Sequence, residues 1–187
     1  MSTDVRIVRL NEFSRSADVA RAAIDAIFFE TAPLAPADEQ RRSAFHDLWL
    51  GQYLRHEPHL TWLACAGTDI VGYLVGCHVN PATSERFVSL SYFQTFADAC
   101  ARFPAHLHLN LTERARGSGI GGRLIDAFAA DTRAAGLAGL HVVTSATARN
   151  VGFYRRNSFV EIAATERNGA KILFLGRVVD RDVPPAP

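Results

Sequence analysis

The amino-acid sequence predicts a mixed α/β fold, with a central, mostly antiparallel sheet of about six to seven strands and helices on both faces. Three observations support it: alternating apolar segments typical of strands, apolar positions at helical spacing, and two loops suited to hairpins. The chain has 187 residues, a length that fits one domain. We therefore expect a single domain over residues 1–179 and a disordered, proline-rich tail over 180–187.

Composition and charge exclude several classes of protein. The net charge is +1, with 48% hydrophobic and 21% charged residues. So small a net charge produces no electrostatic field that would attract nucleic acid or an anionic membrane. Cys65, Cys77 and Cys100 lack C-x-x-C spacing, which favours buried free thiols, and the histidines lack metal-ligand spacing. No apolar run approaches the roughly 20 residues of a membrane span. Without a signal-like N-terminus, we expect a cytoplasmic protein with no metal.

The first half of the chain predicts a strand, two helices and a hairpin, from alternation, helical spacing and capping residues. These elements are a strand over 5–10, a helix from Ser16 or Ser14 to about Glu30, a second helix from Asp38 to Pro58, and a hairpin with strands 59–65 and 70–78.

The second half predicts strands and helices in alternation, then a closing hairpin. Gly136 can end the longest of these helices, and Asn168-Gly169 suits a tight turn. The elements are a helix over 93–103, a strand over 105–111, a helix from 123 to about 135, a strand over 140–144, and hairpin strands over 160–165 and 171–176.

A glycine-rich turn joins the strand over 105–111 to the following helix. It reads Arg116-Gly-Ser-Gly-Ile-Gly-Gly122, and a glycine turn at a helix N-terminus is suited to bind phosphate. Its spacing also satisfies G-x-G-x-x-G, but the next strand ends at Thr144 and Ser145 without the carboxylate of a dinucleotide site. No Gly-Lys-Ser/Thr follows, so the Walker pattern fails too. The sequence therefore predicts a ligand that carries phosphates.

Two motifs resemble the GNAT superfamily of N-acetyltransferases. Arg116-x-x-Gly119-x-Gly121 is similar to its pyrophosphate loop, and the segment from Asn150 to Phe159 is similar to its following Asn and Phe-Tyr element. Ser158 stands where that family usually has glycine. The order of elements also resembles the GNAT fold over nearly the whole chain. Four segments further resemble bacterial acetyltransferases related to the C-terminal domain of eukaryotic O-GlcNAcase, at residues 47–58, 103–108, 161–166 and 172–176.

The resemblance implies that the chain binds acetyl-CoA. The glycine turn would hold the pyrophosphate, and the end of the preceding strand would pair with the pantetheine arm and polarise the thioester carbonyl. Asn150 would bond the pantetheine or orient the helix start, with a simple N-cap as the alternative. The expected cofactor-binding residues are Leu109, Asn110, Leu111, Arg116, Gly117, Ser118, Gly119, Ile120, Gly121, Gly122, Asn150 and Phe153.

Catalytic roles follow from side-chain chemistry at the same motifs. Tyr154 is the candidate general acid, because a phenol is protonated at neutral pH; the alternative is a core aromatic. His106 and His108 share one face of a strand and are candidate bases, with packed strand histidines as the alternative and Glu113 as a second candidate. The resemblance implies that the pocket for the acceptor amine is lined by the first two helices and by the segment around Tyr92. The candidate residues are Phe28, Phe29, Glu30, Trp49 and Tyr92.

We therefore expect an acetyl-CoA-dependent N-acetyltransferase that acts by direct attack of an amine in a ternary complex. No cysteine lies in a motif that suggests a nucleophile. The alternatives are a non-catalytic acetyl-CoA-binding module and, less favoured, a dinucleotide-dependent oxidoreductase. The expected partner is a small-molecule amine or a peptide or protein amine, and the oligomeric state, including a homodimer, stays open.

Overall fold

A computed structural model describes residues 4–32 and 36–179. It contains seven strands in a single sheet, with the bounds β1 Val5–Arg9, β2 Thr61–Ala66, β3 Asp69–Cys77, β4 Ala105–Leu111, β5 Gly139–Ser145, β6 Val160–Arg167 and β7 Ala170–Val178. The strand order is β1-β2-β3-β4-β5-β7-β6. The β1/β2, β2/β3, β5/β7 and β6/β7 pairs are antiparallel, whereas β4 and β5 are parallel. The predicted mixed, mostly antiparallel sheet is confirmed.

The helices begin where the capping residues predict. The Ser16 and Asp38 side chains accept hydrogen bonds from the Val19 and Arg41 amides, and so cap the first two helices. No helix within the described ranges is long and apolar enough to cross a membrane. The helices are α1 Ala17–Thr31, α2 Glu39–His46, α3 Gln52–His56, α4 Tyr92–Thr95, α5 Ala97–Arg102, α6 Ile120–Ala134 and α7 Val151–Arg156.

Two predicted helices are divided in the structure. The helix expected from Asp38 to Pro58 contains a π-helical turn, Asp47–Gly51, between α2 and α3. The helix expected over 93–103 is instead the short pair α4 and α5, which meet at Phe96. In both segments the apolar spacing is compatible with a continuous helix, so periodicity alone does not reveal the interruption.

Contacts within the chain group it into two compact units, of which the first comprises Met1–Cys77 and His108–Phe128. In this unit α1 and α3 pack on β3. Its apolar core includes fully buried aliphatic side chains at these positions: Ile24, Leu50, Leu63, Leu74 and Leu124. The predicted hairpin is present, and its two-residue turn contains Gly67 in the left-handed region.

The second unit comprises His78–Leu107 and Ala129–Pro187. Phe96, Phe103 and His141 pack against Phe174 of β7. The closing hairpin turns at Asn168-Gly169, both with positive φ, as the sequence predicts. The proposed single domain over 1–179 remains a prediction, and the expected tail at 180–187 lies outside the described residues.

The three cysteines are buried and form no disulfide, as predicted. Cys65 and Cys77 lie on β2 and β3, and Cys100 lies on α5. Burial raises the pKa of the Cys65 thiol, and it raises that of Cys100 to about 12. A protonated, buried thiol packs as a small apolar side chain and is a poor nucleophile.

Candidate active site

The glycine turn between β4 and α6 has the backbone conformation that an anion-binding turn needs. Gly117 and Gly119 have φ values of 74° and 80°, in the left-handed region that favours glycine. Apart from each glycine and its two chain neighbours, no atom of the described residues lies within 4 Å of the position that a Cβ would take at either glycine. The backbone at this turn is therefore open to a ligand that approaches closely.

The start of α6 directs peptide N–H groups towards the same turn. The helix begins at Ile120, and the Arg123 N–H donates to the Gly119 carbonyl at 3.2 Å. The amides of residues 120–122 precede this bond, and the first amides of a helix have no intrahelical acceptor. Together with the positive end of the helix dipole, they form a site suited to a diphosphate.

Side chains within the turn hold its shape. The Ser118 hydroxyl donates to the Ala115 carbonyl at 2.7 Å, and Arg116 Nε donates to the Leu111 carbonyl at 3.3 Å. Arg114 forms an exposed ion pair with Asp69 on β3 at 3.4 Å. Arg116 and Ser118 thus stabilise the turn from within, and the exposed Arg116 guanidinium adds positive charge beside it.

The end of β4 is anchored to β3 by polar contacts. Asn110 Nδ2 donates to the Tyr73 hydroxyl at 2.7 Å, and the Thr112 amide and hydroxyl both donate to the Val71 carbonyl. Residues 109–111 are half-buried. These contacts fix the segment that was expected to pair with the pantetheine arm, and they hold the Asn110 side chain against a buried phenol.

His108 lies between two aromatic side chains of the first unit. Its Nε2 is 3.1 Å from the Tyr53 hydroxyl, and its ring meets the rings of Trp49 and Tyr53 edge to face at 5.2 and 5.1 Å between centroids. Burial lowers the pKa of His108 to about 4. His108 is therefore a neutral imidazole at neutral pH, with one donor and one acceptor nitrogen.

His106 has a different environment. It is 3% exposed and contacts the rings of Phe87, Phe93 and His141 at centroid distances of 4.7, 5.8 and 5.5 Å. His141 in turn lies 2.5 Å from the Phe103 carbonyl through Nδ1. This aromatic surrounding matches the alternative of a packed strand histidine, and it favours His108 over His106 as the candidate base.

The second motif forms α7 in the second unit. Asn150 occupies the N-cap position with helical dihedrals and makes no capping bond; its Oδ1 accepts from the Thr144 hydroxyl at 3.0 Å. Asn150 thus occupies the expected N-cap position, but its side chain does not cap the helix. The Phe159 and Ser158 amides donate to the Tyr154 and Arg155 carbonyls, and Ser158 has a φ of 66°. Ser158 thus takes the left-handed position where glycine is favoured.

Tyr154 is 6% exposed and packs between Phe153 and Phe159, with ring centroids 5.2 and 5.3 Å away. Burial raises the pKa of the Tyr154 phenol to about 12. The phenol therefore keeps its proton at neutral pH, which both a hydrogen-bond donor and a general acid require.

The expected acceptor residues lie in both units. In the first, Phe29 is half-buried, stacks on His46 and lies 3.6 Å from the Arg42 guanidinium carbon, while Glu30 is exposed. In the second, Tyr92 is half-buried and packs on Phe93, and burial raises its pKa. Phe28 is core, and Trp49 contacts His108.

Sequence reasoning missed the two buried tyrosines that contact β4. Tyr53 was expected only as an apolar helix position, and Tyr73 only as part of a strand. Both are almost fully buried, and their hydroxyls contact His108 and Asn110. The available signal was the phenol itself, because a buried tyrosine usually finds a hydrogen-bond partner for its hydroxyl.

The mixed sheet and the glycine turn between β4 and α6 are features of an acyltransferase fold. The model of the Acetyltransferase (GNAT) family matches residues 22–159. Because this match spans most of the sequence, the chain belongs to that family.

Solved structures support the fold. The chain is similar to SsHAT, with 22% identity over 95% of this chain and 99% of that one and a TM-score of 0.69. It is similar to Drosophila melanogaster polyamine N-acetyltransferase, which forms N-acetylagmatine, with 15% identity over 94% and 100% of the chains and a TM-score of 0.64. It is also similar to Chaetomium thermophilum Naa20, solved with a bisubstrate analogue, with 17% identity over 96% and 88% and a TM-score of 0.59.

Proposed function

We propose that the protein is an acetyl-CoA-dependent N-acetyltransferase that works by direct attack of a neutral amine within a ternary complex. The observation that carries this proposal is the glycine turn at the start of α6, with Gly117 and Gly119 in left-handed conformations and open to solvent. Membership of the GNAT family supports acetyl transfer to amines in general. The sheltered cysteines support a route without an acyl-enzyme.

The turn fits the diphosphate of coenzyme A. Residues 117–122 would donate peptide N–H groups to its oxygens, and Arg116 would add a positive charge. The backbone of residues 109–111 would pair with the pantetheine arm, with Asn150 and Phe153 as further contacts. When bound, acetyl-CoA supplies the thioester-activated acetyl group.

Tyr154 is proposed as the proton donor towards the departing sulfur. A thiol has an ordinary pKa near 8.5, so complete transfer from a phenol of pKa about 12 is uphill. Tyr154 therefore acts mainly by donating a hydrogen bond as charge develops on sulfur, which stabilises the transition state.

His108 is proposed as the proton acceptor. Its neutral imidazole carries a lone pair that can take the proton from the amine nitrogen as the new C–N bond forms, directly or through a water. Its low pKa means that it does not extract a proton from a free ammonium ion efficiently. The enzyme is therefore proposed to bind the acceptor as a neutral amine.

The second candidate is a non-catalytic acetyl-CoA-binding module. The deep burial of Tyr154 and the low pKa of His108 are compatible with such a module, since neither group need react for the turn to bind coenzyme A. Thiol release measured over a panel of small amines, amino sugars and peptides separates the two. Release above the rate without acceptor supports the enzyme; binding of acetyl-CoA with no release for any class supports the module.

The proposal also covers the acceptor amine and the acetyltransferase subgroup to which the chain belongs. Phe29, Glu30 and Tyr92 remain the proposed acceptor contacts, for a small-molecule or peptide amine. The likeness of four segments to bacterial acetyltransferases related to the O-GlcNAcase C-terminal domain stays a resemblance. The amine panel tests the acceptor directly. A preference for one class of amine would also reduce the number of acetyltransferase subgroups to which the chain can be assigned.

A further inference from the structure

The buried Tyr53 and the half-buried His108 form a polar pair in the first unit. Tyr53 lies on α3 with no exposed surface, and its hydroxyl is 3.1 Å from His108 Nε2. The two rings are nearly perpendicular, at 82°. A phenol and an imidazole thus meet with their polar atoms in contact, inside packing that restrains both rings.

The π-helical turn before α3 brings a second aromatic side chain to the same ring. Trp49 lies within the turn Asp47–Gly51, and its ring meets that of His108 at 86°. A π-turn inserts an extra residue into a helix, re-aims the side chains around it, and is frequent at functional sites. Here it accompanies a pair of contacts, from Trp49 and Tyr53, that fixes the orientation of one histidine.

The contact with Tyr53 occupies Nε2, so the proton of the amine can reach the imidazole only at Nδ1. A neutral imidazole has one N–H group and one lone pair, and a lone pair at Nδ1 requires that Nε2–H donates to the Tyr53 oxygen. Nδ1 is then the nitrogen with the lone pair, and among the described residues it has no hydrogen-bond partner.

We propose that Tyr53 is a positioning residue that holds His108 in its Nε2–H tautomer and so makes Nδ1 the nitrogen that accepts the amine's proton. This rests on the proposed function. In the step, an N–H bond of the attacking amine breaks as the C–N bond forms, and a bond from Nδ1 to that proton forms. The imidazolium keeps its Nε2–H bond to Tyr53 and then releases the Nδ1 proton to water.

The tautomer can be measured without turnover, from the nitrogen chemical shifts of His108 in labelled protein at neutral pH. We expect an unprotonated Nδ1 and a protonated Nε2 in the native chain. Tyr53→Phe should shift the ring towards the Nδ1–H form. Tyr73→Phe is the matched control: it deletes an equally buried hydroxyl that contacts Asn110, and it should leave the His108 tautomer unchanged.

The proposal would be overturned if the native protein has the Nδ1–H tautomer. It would also be overturned if the His108 nitrogen chemical shifts in Tyr53→Phe equal those of the native protein. Should Tyr53→Phe not fold, the native tautomer alone decides.

In kinetics, Tyr53→Phe should lower kcat about tenfold or more with little change in the KM for acetyl-CoA, as expected for lost base positioning. Unchanged kcat overturns the positioning role. Absence of turnover in the native protein instead defeats the proposed function, while the shifts still test the tautomer.

Discussion

At the scale of single residues, Gly119 is the position where the phosphate turn is most sensitive. Its φ of 80° strains any L-residue by roughly 1–2 kcal/mol, and a Cβ there would occupy the open space in front of the amides. We predict that Gly119→Ala weakens acetyl-CoA binding at least about tenfold, because the diphosphate can no longer approach the backbone. Calorimetric titration measures the change.

Gly67 provides the control for this substitution. It also has a positive φ, 63°, with open space around it, but it lies in the β2–β3 hairpin turn. Gly67→Ala should cost similar stability while acetyl-CoA affinity stays native. Equal losses of affinity in the two variants would show that strain alone weakens binding, and would count against the phosphate role of Gly119.

Tyr154→Phe tests the proton donor. The substitution keeps the ring that packs between Phe153 and Phe159 and removes only the hydroxyl. We predict a fall in kcat of about 10²-fold or more, with the dissociation constant for acetyl-CoA nearly unchanged. Pre-steady-state rates together with a binding titration separate the two effects. Native kcat in this variant would remove Tyr154 from the reaction.

The two strand histidines show what sequence could predict at this scale and what it could not. The strand predicted over 105–111 is β4, and His106 and His108 lie two residues apart on it, the spacing that predicts a shared face. The spacing could not distinguish them, because their surroundings come from segments distant in sequence: Phe87 and Phe93 around His106, and the π-turn and α3 around His108. Local pattern carries no information about such partners.

At the scale of elements, α6 and α7 end in the same way with different residues. Gly136 and Ser158 both take the left-handed position, and the amides that follow donate back into the last turn. Glycine adopts this conformation at little cost, whereas serine is strained. We predict that Ser158→Gly stabilises the protein by about 1 kcal/mol, as measured by urea unfolding.

The reciprocal change at α6 is the control. Gly136→Ser should destabilise the protein by a comparable amount, since it introduces the strain that Ser158 carries. No gain from Ser158→Gly, alongside a clear loss from Gly136→Ser, would mean that the serine is compensated by contacts of its side chain.

Elements set by local signals were predictable, and those set by tertiary packing were not. Ser16, Asp38 and Asn168-Gly169 mark caps and a turn through their own backbone chemistry, and the structure has each as predicted. The π-turn Asp47–Gly51 was missed, because apolar residues at 45, 48, 49 and 53 satisfy helical spacing with or without an extra residue.

At the scale of the whole molecule, His108 links stability to pH. Its folded pKa of about 4 lies below the ordinary value of 6.5, so between these values the unfolded chain binds a proton that the native chain does not. Stability is therefore unaffected above about pH 6.5 and falls as the pH drops towards 4. We predict that this site alone contributes a loss of about 2 kcal/mol by pH 5, from urea unfolding at pH 7.5 and 5.

His108→Gln should reduce this pH dependence, because it removes the group that titrates. Native and His108→Gln proteins that lose the same stability between pH 7.5 and 5 would contradict the neutral state of His108 in the native protein.

The most direct test of the account is whether the diphosphate of acetyl-CoA supplies binding energy at the turn that begins α6. Calorimetric titration of the native chain with acetyl-CoA, and separately with S-acetylpantetheine, which lacks the diphosphate and the nucleotide attached to it, measures the joint contribution of these two groups. Two or more charge-assisted hydrogen bonds to residues 117–122 predict that acetyl-CoA binds at least about 100-fold more tightly. Equal affinities for the two compounds, or no binding of acetyl-CoA, would contradict a diphosphate site at this turn.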